Sequence, residues 1–344
     1  MGAGVVLLRR YRLLIIKIGG VFMSSSNSKG GLNKIFGRYT GAVILVGLIL
    51  VSYIIFKVLR PATFGQPNQM LGYFQQCLID SVGAVGLYFI IVMGLFDFSI
   101  GANCILCAIV GTVCMKNLGL GYAGFLIAPL LCGAIVGLIN GICYIKLHIP
   151  SMIVTTGLAL IYESVGYYVS GGVQAFLTKD QTFFGHAPGN LILAVIAFLA
   201  SYTILVYTKV GTYAYAIGSN EAVARNMGIN VNKYKVLTFV ITGLFDGLMG
   251  ILAISYGSSM VSVTGMASMS RNFAPTMGCF FGLAFRQFGI PIPAIIVGEF
   301  LIQIIYNGFV TLGAPTAIQN VVTGVALLLV VALTMKPGKG EIVK

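Results

Sequence analysis

An all-α, polytopic membrane fold is predicted by three observations on this 344-residue chain. Hydrophobic residues make up 58% of it and charged residues only 8%, against about 25% in soluble domains. The apolar residues run in stretches close to the ~20 residues needed to cross ~30 Å of hydrocarbon. The 21 Lys and Arg, against 8 Asp and Glu, fall at the ends of those stretches rather than in one patch. The first two observations exclude a soluble enzyme. The third turns a net charge of +13 into a positive-inside pattern instead of a nucleic-acid surface. Forty-five glycines suit helices packed closely in lipid, where small residues let backbones approach.

Residues 1–38 are basic and amphipathic, GVVLLRRYRLLIIKIGGVF followed by SSSNSKGG. Arg9, Arg10, Arg12 and Lys17 interrupt what would be the apolar core of a signal peptide. An interfacial helix along the cytoplasmic leaflet is expected instead. About ten spans follow, at about 40–59, 71–95, 98–115, 121–145, 151–170, 190–208, 235–256, 273–289, 291–311 and 316–335. The third and eighth are short and marked by glycine or proline, which predicts broken or re-entrant helices.

An even count puts both termini on one side. With the termini cytoplasmic, the N-terminal segment brings seven cations, the polar loop after the sixth span four and the tail three. Lys146 and Arg286 raise the inside total to sixteen, against five outside: Lys57, Arg60, Lys116, Lys179 and Arg271. The membrane domain is then 39–336, the tail 337–344, and the polar stretch Ser170–Asn190 an outer loop. Five spans precede that loop and five follow it, a count compatible with two inverted five-helix repeats.

All seven cysteines lie in apolar segments. Cys104, Cys107 and Cys114 can share a helix face, but a metal there needs further ligands and no His is near in sequence. Buried free thiols behaving as small hydrophobes are the expectation, with no metal and no cofactor. The chain has no H-E-x-x-H, no G-x-S-x-G and no paired Asp/His constellation, so no catalytic residue is assigned.

Tyr207–Lys235, the long polar interval after the sixth span, carries the densest local signals. Ser219 or Asn220 suits a helix N-cap, and Glu221 then falls in the first turn, where the helix dipole favours a negative charge. Glu221 and Arg225 are spaced for an i,i+4 ion pair worth ~0.3–0.5 kcal/mol. Gly228 fits the left-handed position that ends a helix, with Ile229 folding back over Val223 and Ala224. A self-capped helix of about seven residues is predicted. Such a helix on a polar loop is a surface for something else to grip.

Ala216 to Val231, A-I-G-S-N-E-A-V-A-R-N-M-G-I-N-V, resembles the cytoplasmic coupling loop of ABC-importer permease subunits of the ribose/xylose/galactose type. That family is related to branched-chain amino-acid permeases, and its text there is approximately A-I-G-G-N-x-x-A-A-x-x-x-G-I-N-V. Met93 to Ala102, M-G-L-F-D-F-S-I-G-A, resembles the family's G-x-x-D-L-S-V-G-S, with Phe98 in place of Leu. G-L-I-N-G, Gly137 to Gly141, and I-P-S-M-I-V-T-T-G-L, Ile149 to Leu158, are similar to further family segments. The resemblance covers most of residues 70–335. It lapses at Asn272 to Gly289, where Pro275 and Arg286 stand in place of the family's small residues and Phe280 and Phe281 add bulk, and resumes at Asn307 to Gly324.

The resemblance implies import of a simple sugar or sugar-like solute, a nucleoside included, across a bacterial inner membrane. It implies separate cytoplasmic ATPase subunits, a second permease subunit as homodimer or heterodimer, an extracytoplasmic solute-binding protein, contact with lipid and none with nucleic acid. The absence of a G-x-x-x-x-G-K-[ST] phosphate loop fits an ATPase site on another chain. Coupling to the ATPase falls to loop 209–234, through Gly218, Asn220, Glu221, Ala222, Arg225 and Gly228. Candidate residues of the substrate pathway are Asp97, Ser99, Asn103, Asn140, Thr155, Thr156 and Asp246. Asp97 or Ser99 is expected to cap the half-helix after a break, while Asn140 and the two threonines serve equally as interhelical glue. A stand-alone secondary transporter stays open as the alternative, with a relay drawn from the acids Asp80, Asp97, Glu163, Asp246 and Glu299.

Overall fold

A computed structural model describes residues 31–286, 289–315, 321, 324 and 325. The expected interfacial helix, most of the tenth span and the tail lie outside the described residues. The chain divides into a short N-terminal unit, Met1–Gly41, and one compact unit, Ala42–Lys344.

The described helices are α1 (Gly31–Leu59), α2 (Pro67–Ile91), α3 (Ile100–Lys116), α4 (Gly121–Leu147), α5 (Ser151–Ser170) and α6 (Gly189–Tyr207). They continue with α7 (Lys209–Ser219), α8 (Glu221–Asn226), α9 (Val231–Gly257), α10 (Phe273–Ala284) and α11 (Pro291–Thr311). Six of them, α2, α4, α5, α6, α9 and α11, are long and apolar enough to cross a membrane. Val46–Leu59 and α3 are shorter apolar helical stretches. The bounds of α5 and α11 coincide with the expected spans 151–170 and 291–311. Both begin beside proline, whose missing N–H and preset φ fit a helix start. Between α5 and α6 lies the expected outer polar stretch. There β1 (Ala175–Phe176) pairs antiparallel with β2 (Ser259–Met260), which follows α9.

Two helices form the centre. In both α2 and α9, 78% of the apolar stretch is buried, against 33% in α5 and α6, whose outward faces are apolar and suited to lipid. Glycine explains how tightly α4 packs on α9. Added methyl groups at Gly133 and Gly137 of α4 would overlap the backbone carbonyls of Gly243 and Phe239 of α9, and Gly141 continues the row one turn further. This is small-residue packing at four-residue spacing, which brings two backbones into contact.

The polar interval after α6 differs from expectation, because it holds two helices rather than one. Its first part, α7, buries Gly211, Ala214 and Ile217, spaced three apart on one face, and Thr208 caps it by accepting a hydrogen bond from the Val210 N–H at 3.2 Å. That face reads as polar in sequence because its buried members are small. The second, α8, has six residues and not seven, since Met227 already takes the C-cap position.

Candidate functional site

The short helix α8 is built by local chemistry. Asn220 is extended, with φ −161° and ψ 106°, and its Oδ1 accepts from the Val223 N–H at 3.0 Å. Gly228 closes the helix at φ +81°. The Ile229 N–H donates to the Ala224 carbonyl at 3.2 Å and the Gly228 N–H to the Arg225 carbonyl at 3.0 Å, the paired bonds of a Schellman motif. Ala224 is buried and Ile229 packs with it against the main core, while Ala222, Val223, Arg225 and Met227 face outward. The expected ion pair is present, with Arg225 Nη2 at 2.9 Å from Glu221 Oε1.

Two contacts tie α8 to the body, and sequence reasoning missed both. Lys235, in the first turns of α9, places its Nζ 2.8 Å from Glu221 Oε2 and 3.3 Å from the Tyr144 hydroxyl of α4. Its side chain is only 8% exposed, so it is no solvated loop cation. The hydrogen bond from Lys235, with its charge and that of Arg225, holds the Glu221 carboxyl below its ordinary range, although desolvation works against this. Gly218, at the end of α7, meets the Val92 carbonyl so closely that a methyl group there would overlap it. Val92 opens the irregular segment between α2 and α3. A cavity of about 670 Å³, lined in part by Phe96, Tyr144, His148, Glu221, Arg225 and Lys235, lies between that segment and α8.

The segment Val92–Ser99 is the predicted helix break, and neighbouring elements satisfy its backbone. Ser151 Oγ and Thr155 Oγ1 of α5 accept the Phe96 and Phe98 N–H groups, both at 2.9 Å. Asn272, which ends the 3₁₀ turn Ala267–Asn272, accepts the Gly101 N–H and donates to the Phe98 carbonyl, both at 2.6 Å. Asp97 Oδ1 accepts from the Ser99 N–H at 2.7 Å and from its hydroxyl at 2.6 Å. The capping expectation is corrected here. Ser99 stands at the N-cap of α3 but with φ −89° and ψ −2°, already helix-like, and its side chain caps nothing. Capping needs an extended residue at that position.

Asn140 of α4 donates to Asp97 Oδ2 at 3.1 Å and Ser99 Oγ at 2.7 Å, and accepts from the Tyr162 hydroxyl of α5 at 2.8 Å. Asn103 of α3 donates to Asp246 Oδ2 of α9 at 2.9 Å and accepts from Cys107 at 3.2 Å. Asp97, Ser99, Asn103, Asn140, Thr155 and Asp246 are therefore brought together at the break, all buried. Thr156 is not; it bonds the Met152 carbonyl of its own helix at 2.7 Å. Of the remaining acids, Glu163 accepts the Met266 and Ser268 N–H groups, both at 2.8 Å, and Glu299 accepts the Gly278 N–H at 3.1 Å. Asp80 accepts from Gln303 at 3.0 Å. For the polar residues missed, Ser151, Tyr162 and Asn272, one signal was available. Ser151, Thr155 and Tyr162 recur on one face of α5, whereas Asn272 lies outside that helix and carried no such signal.

A bundle of membrane-length apolar helices, with an interrupted helix at its centre and a self-capped helix on a polar loop, fits a transport subunit. The chain belongs to the family described as the permease component of branched-chain amino acid transport systems, which matches residues 69–331. Among curated relatives, it is 30% identical to the L-arabinose transport system permease protein AraH of Escherichia coli K12, over 88% of this chain and 91% of that one. It is 28% identical to the ribose import permease protein RbsC of the same strain, over 84% and 92%. The D-allose transport system permease protein AlsC, also of that strain, is 27% identical over 90% and 96%. No solved structure matches the chain. Family and apolar helices together make this a multi-pass membrane protein.

Proposed function

We propose that this chain is the membrane-spanning permease subunit of an ATP-driven importer for a simple sugar or sugar-like solute, and that a cytoplasmic ATPase subunit grips α8. One observation carries the second half. The helix is finished at both ends by its own residues and presents Val223 and Met227, 52% and 73% exposed, beside Arg225. Beneath, it is anchored through Ala224, Lys235 and the α7 end at Gly218. A rigid handle with an exposed apolar face and a buried root suits mechanical coupling. The sugar class follows the relatives named for arabinose, ribose and allose.

In this reading, closure of the ATPase subunits on ATP displaces α8. The displacement passes along α7 to the Val92 carbonyl and through Lys235 to α9. Both routes end at the break, which Asp97, Ser99, Asn103, Asn140, Thr155 and Asp246 hold together. These residues position the helices lining the pathway, and Thr156 marks the adjacent face of α5. The chain itself performs no hydrolysis. The full subunit has about ten spans, an interfacial segment 1–38, a membrane domain 39–336 with the coupling loop 209–234, and a tail 337–344. Both termini are on the cytoplasmic side of a bacterial inner membrane. A second permease subunit, an extracytoplasmic binding protein and surrounding lipid complete the assembly.

The test is co-purification and coupled transport. The ATPase subunit is expected to co-purify with the intact chain and to be lost when 216–231 is scrambled. Gly228→Pro or Arg225→Glu is expected to abolish solute stimulation of ATP hydrolysis. Unchanged solute-stimulated hydrolysis in both variants overturns the coupling role of α8.

A further inference from the structure

Apart from the cavity beside the break, a second polar cluster faces open room. A cavity of about 450 Å³ lies between α2, α10 and α11, lined by Gln76, Asp80, Phe273, Met277, Gln303 and Tyr306 among others. That volume is in the range of about 300–1,000 Å³ typical of small-molecule sites. We propose that this cavity is a station for the transported solute, and that the solute it holds is a neutral polyhydroxylated molecule. The proposal rests on the importer reading above and adds to it a site and a recognition chemistry.

The polar groups that face this cavity have hydrogen-bonding capacity left over. Asp80 uses Oδ2 to accept from Gln303 Nε2 at 3.0 Å, and Oδ1 has no hydrogen-bond partner among the described residues. The Gln76 amide and the Tyr306 hydroxyl likewise have no hydrogen-bond partner among the described residues, although both line the cavity. A carboxylate oxygen that accepts, an amide that both donates and accepts, and a phenol that does either match the hydroxyls of a sugar ring, each at once donor and acceptor. Gln303 fixes the carboxylate, so its free oxygen is preoriented. Phe273, Ala274, Met277 and Ile302 supply the apolar remainder, against which the C–H face of a ring can lie.

Charge narrows the class. Among the described residues no Lys or Arg lines the cavity, and the charge of Arg271, beside the lining Ser270, already acts on Asp80, so a phosphate or carboxylate would meet a carboxylate with no further cation to pair with. A zwitterion would leave its carboxylate unmatched for the same reason. A polyol meets neither penalty.

Two further features tie the cavity to transport. Phe273, Ala274 and Met277 belong to Asn272–Gly289, the stretch where this chain departs from its family's text. The residues that depart there, Pro275, Phe280 and Phe281, lie on the same helix as this lining without being part of it. Past the other end of α10, Arg286 stacks on the Tyr215 ring of α7 at 4.1 Å from guanidinium carbon to ring centroid. One helix thus connects the cavity to the element that carries α8.

The experiment reconstitutes the full chain with its ATPase and binding protein in proteoliposomes. Uptake of labelled D-ribose, L-arabinose, D-allose and L-leucine is measured per ATP hydrolysed. For whichever sugar the wild type imports, the double variant Gln76→Ala/Asp80→Asn is expected to lower sugar per ATP about tenfold, as loss of hydrogen bonds to a charged acceptor implies. Ala274→Phe, which fills the cavity and leaves the polar groups intact, is expected to do the same. A ratio unchanged in both overturns the station and leaves the importer reading standing. A wild type that imports leucine and none of the sugars overturns both. A second measurement needs no assembly with the ATPase: in the full-length Gln76→Cys chain in nanodiscs, the imported sugar slows maleimide alkylation of that cysteine and leucine does not. Equal rates with and without sugar overturn the site.

Discussion

The pair Glu221–Lys235 is unequal in burial, and that inequality makes a sharp prediction about α8. Lys235 is 8% exposed, whereas Glu221 is 42% exposed and has Arg225 as a second partner. Replacing Lys235 by Met removes a desolvated cation and leaves a carboxylate that water and Arg225 still solvate. The expected loss is under ~1 kcal/mol, the scale of exposed pairs. Replacing Glu221 by Gln instead strands the ammonium with the Tyr144 hydroxyl at 3.3 Å and the Tyr144 ring at 5.3 Å. Breaking a fully buried pair costs about 3–5 kcal/mol; with one partner half in water, about 2 kcal/mol is expected. The assay is hydrogen exchange at Ala224, Met227, Gly228 and Ile229, whose N–H groups all bond within this turn. Glu221→Gln should speed their exchange roughly 30-fold, since 1.4 kcal/mol is tenfold in an opening equilibrium. Lys235→Met should speed it less than about fivefold, and the double variant should fall near Lys235→Met. Equal effects of the two single changes, or an additive double, would refute the argument that the buried lysine anchors α8.

Two further outcomes are expected. Asn140→Leu should cost about 2 kcal/mol, because it leaves Asp97 Oδ2 buried without a partner and the Tyr162 hydroxyl with only its long 3.5 Å bond to the Val136 carbonyl, and a thermal-shift midpoint lower by several degrees would report it. The pH dependence of α8 follows from the lowered Glu221 carboxyl. A depressed folded-state value contributes stability above the ordinary value of 4.5 and loses it as pH falls through the folded value, so exchange protection should be flat from about pH 6 to 8 and fall only on strong acidification.

How much of this was legible beforehand follows the range of the interactions. Asn220, Glu221, Arg225 and Gly228 act within a few residues of one another, so their spacing alone dictates a capped helix with an ion pair. The spans α5 and α11 were legible to the residue because proline and apolar length set them. By contrast, α7 was not, since its buried face is Gly211, Ala214 and Ile217, too small a set to register as apolar periodicity.

Sequence by itself determined that this chain lives in a membrane, that a helix breaks around Asp97, and that a short capped helix sits on a polar loop. Each follows from composition or from contacts three or four residues apart. Only tertiary structure decided what those features touch. Lys235 meets Glu221 fourteen residues away, Asn140 meets Asp97 forty-three away, and Gln303 meets Asp80 across 223 residues. Such partners are chosen by how helices pack. The rows of glycine that let α4 lie against α9 and Gly218 against Val92 say that a backbone will approach, but not which one. A polar side chain on an apolar helix must find a partner in lipid, and the fold selects it from every polar group the packing brings near.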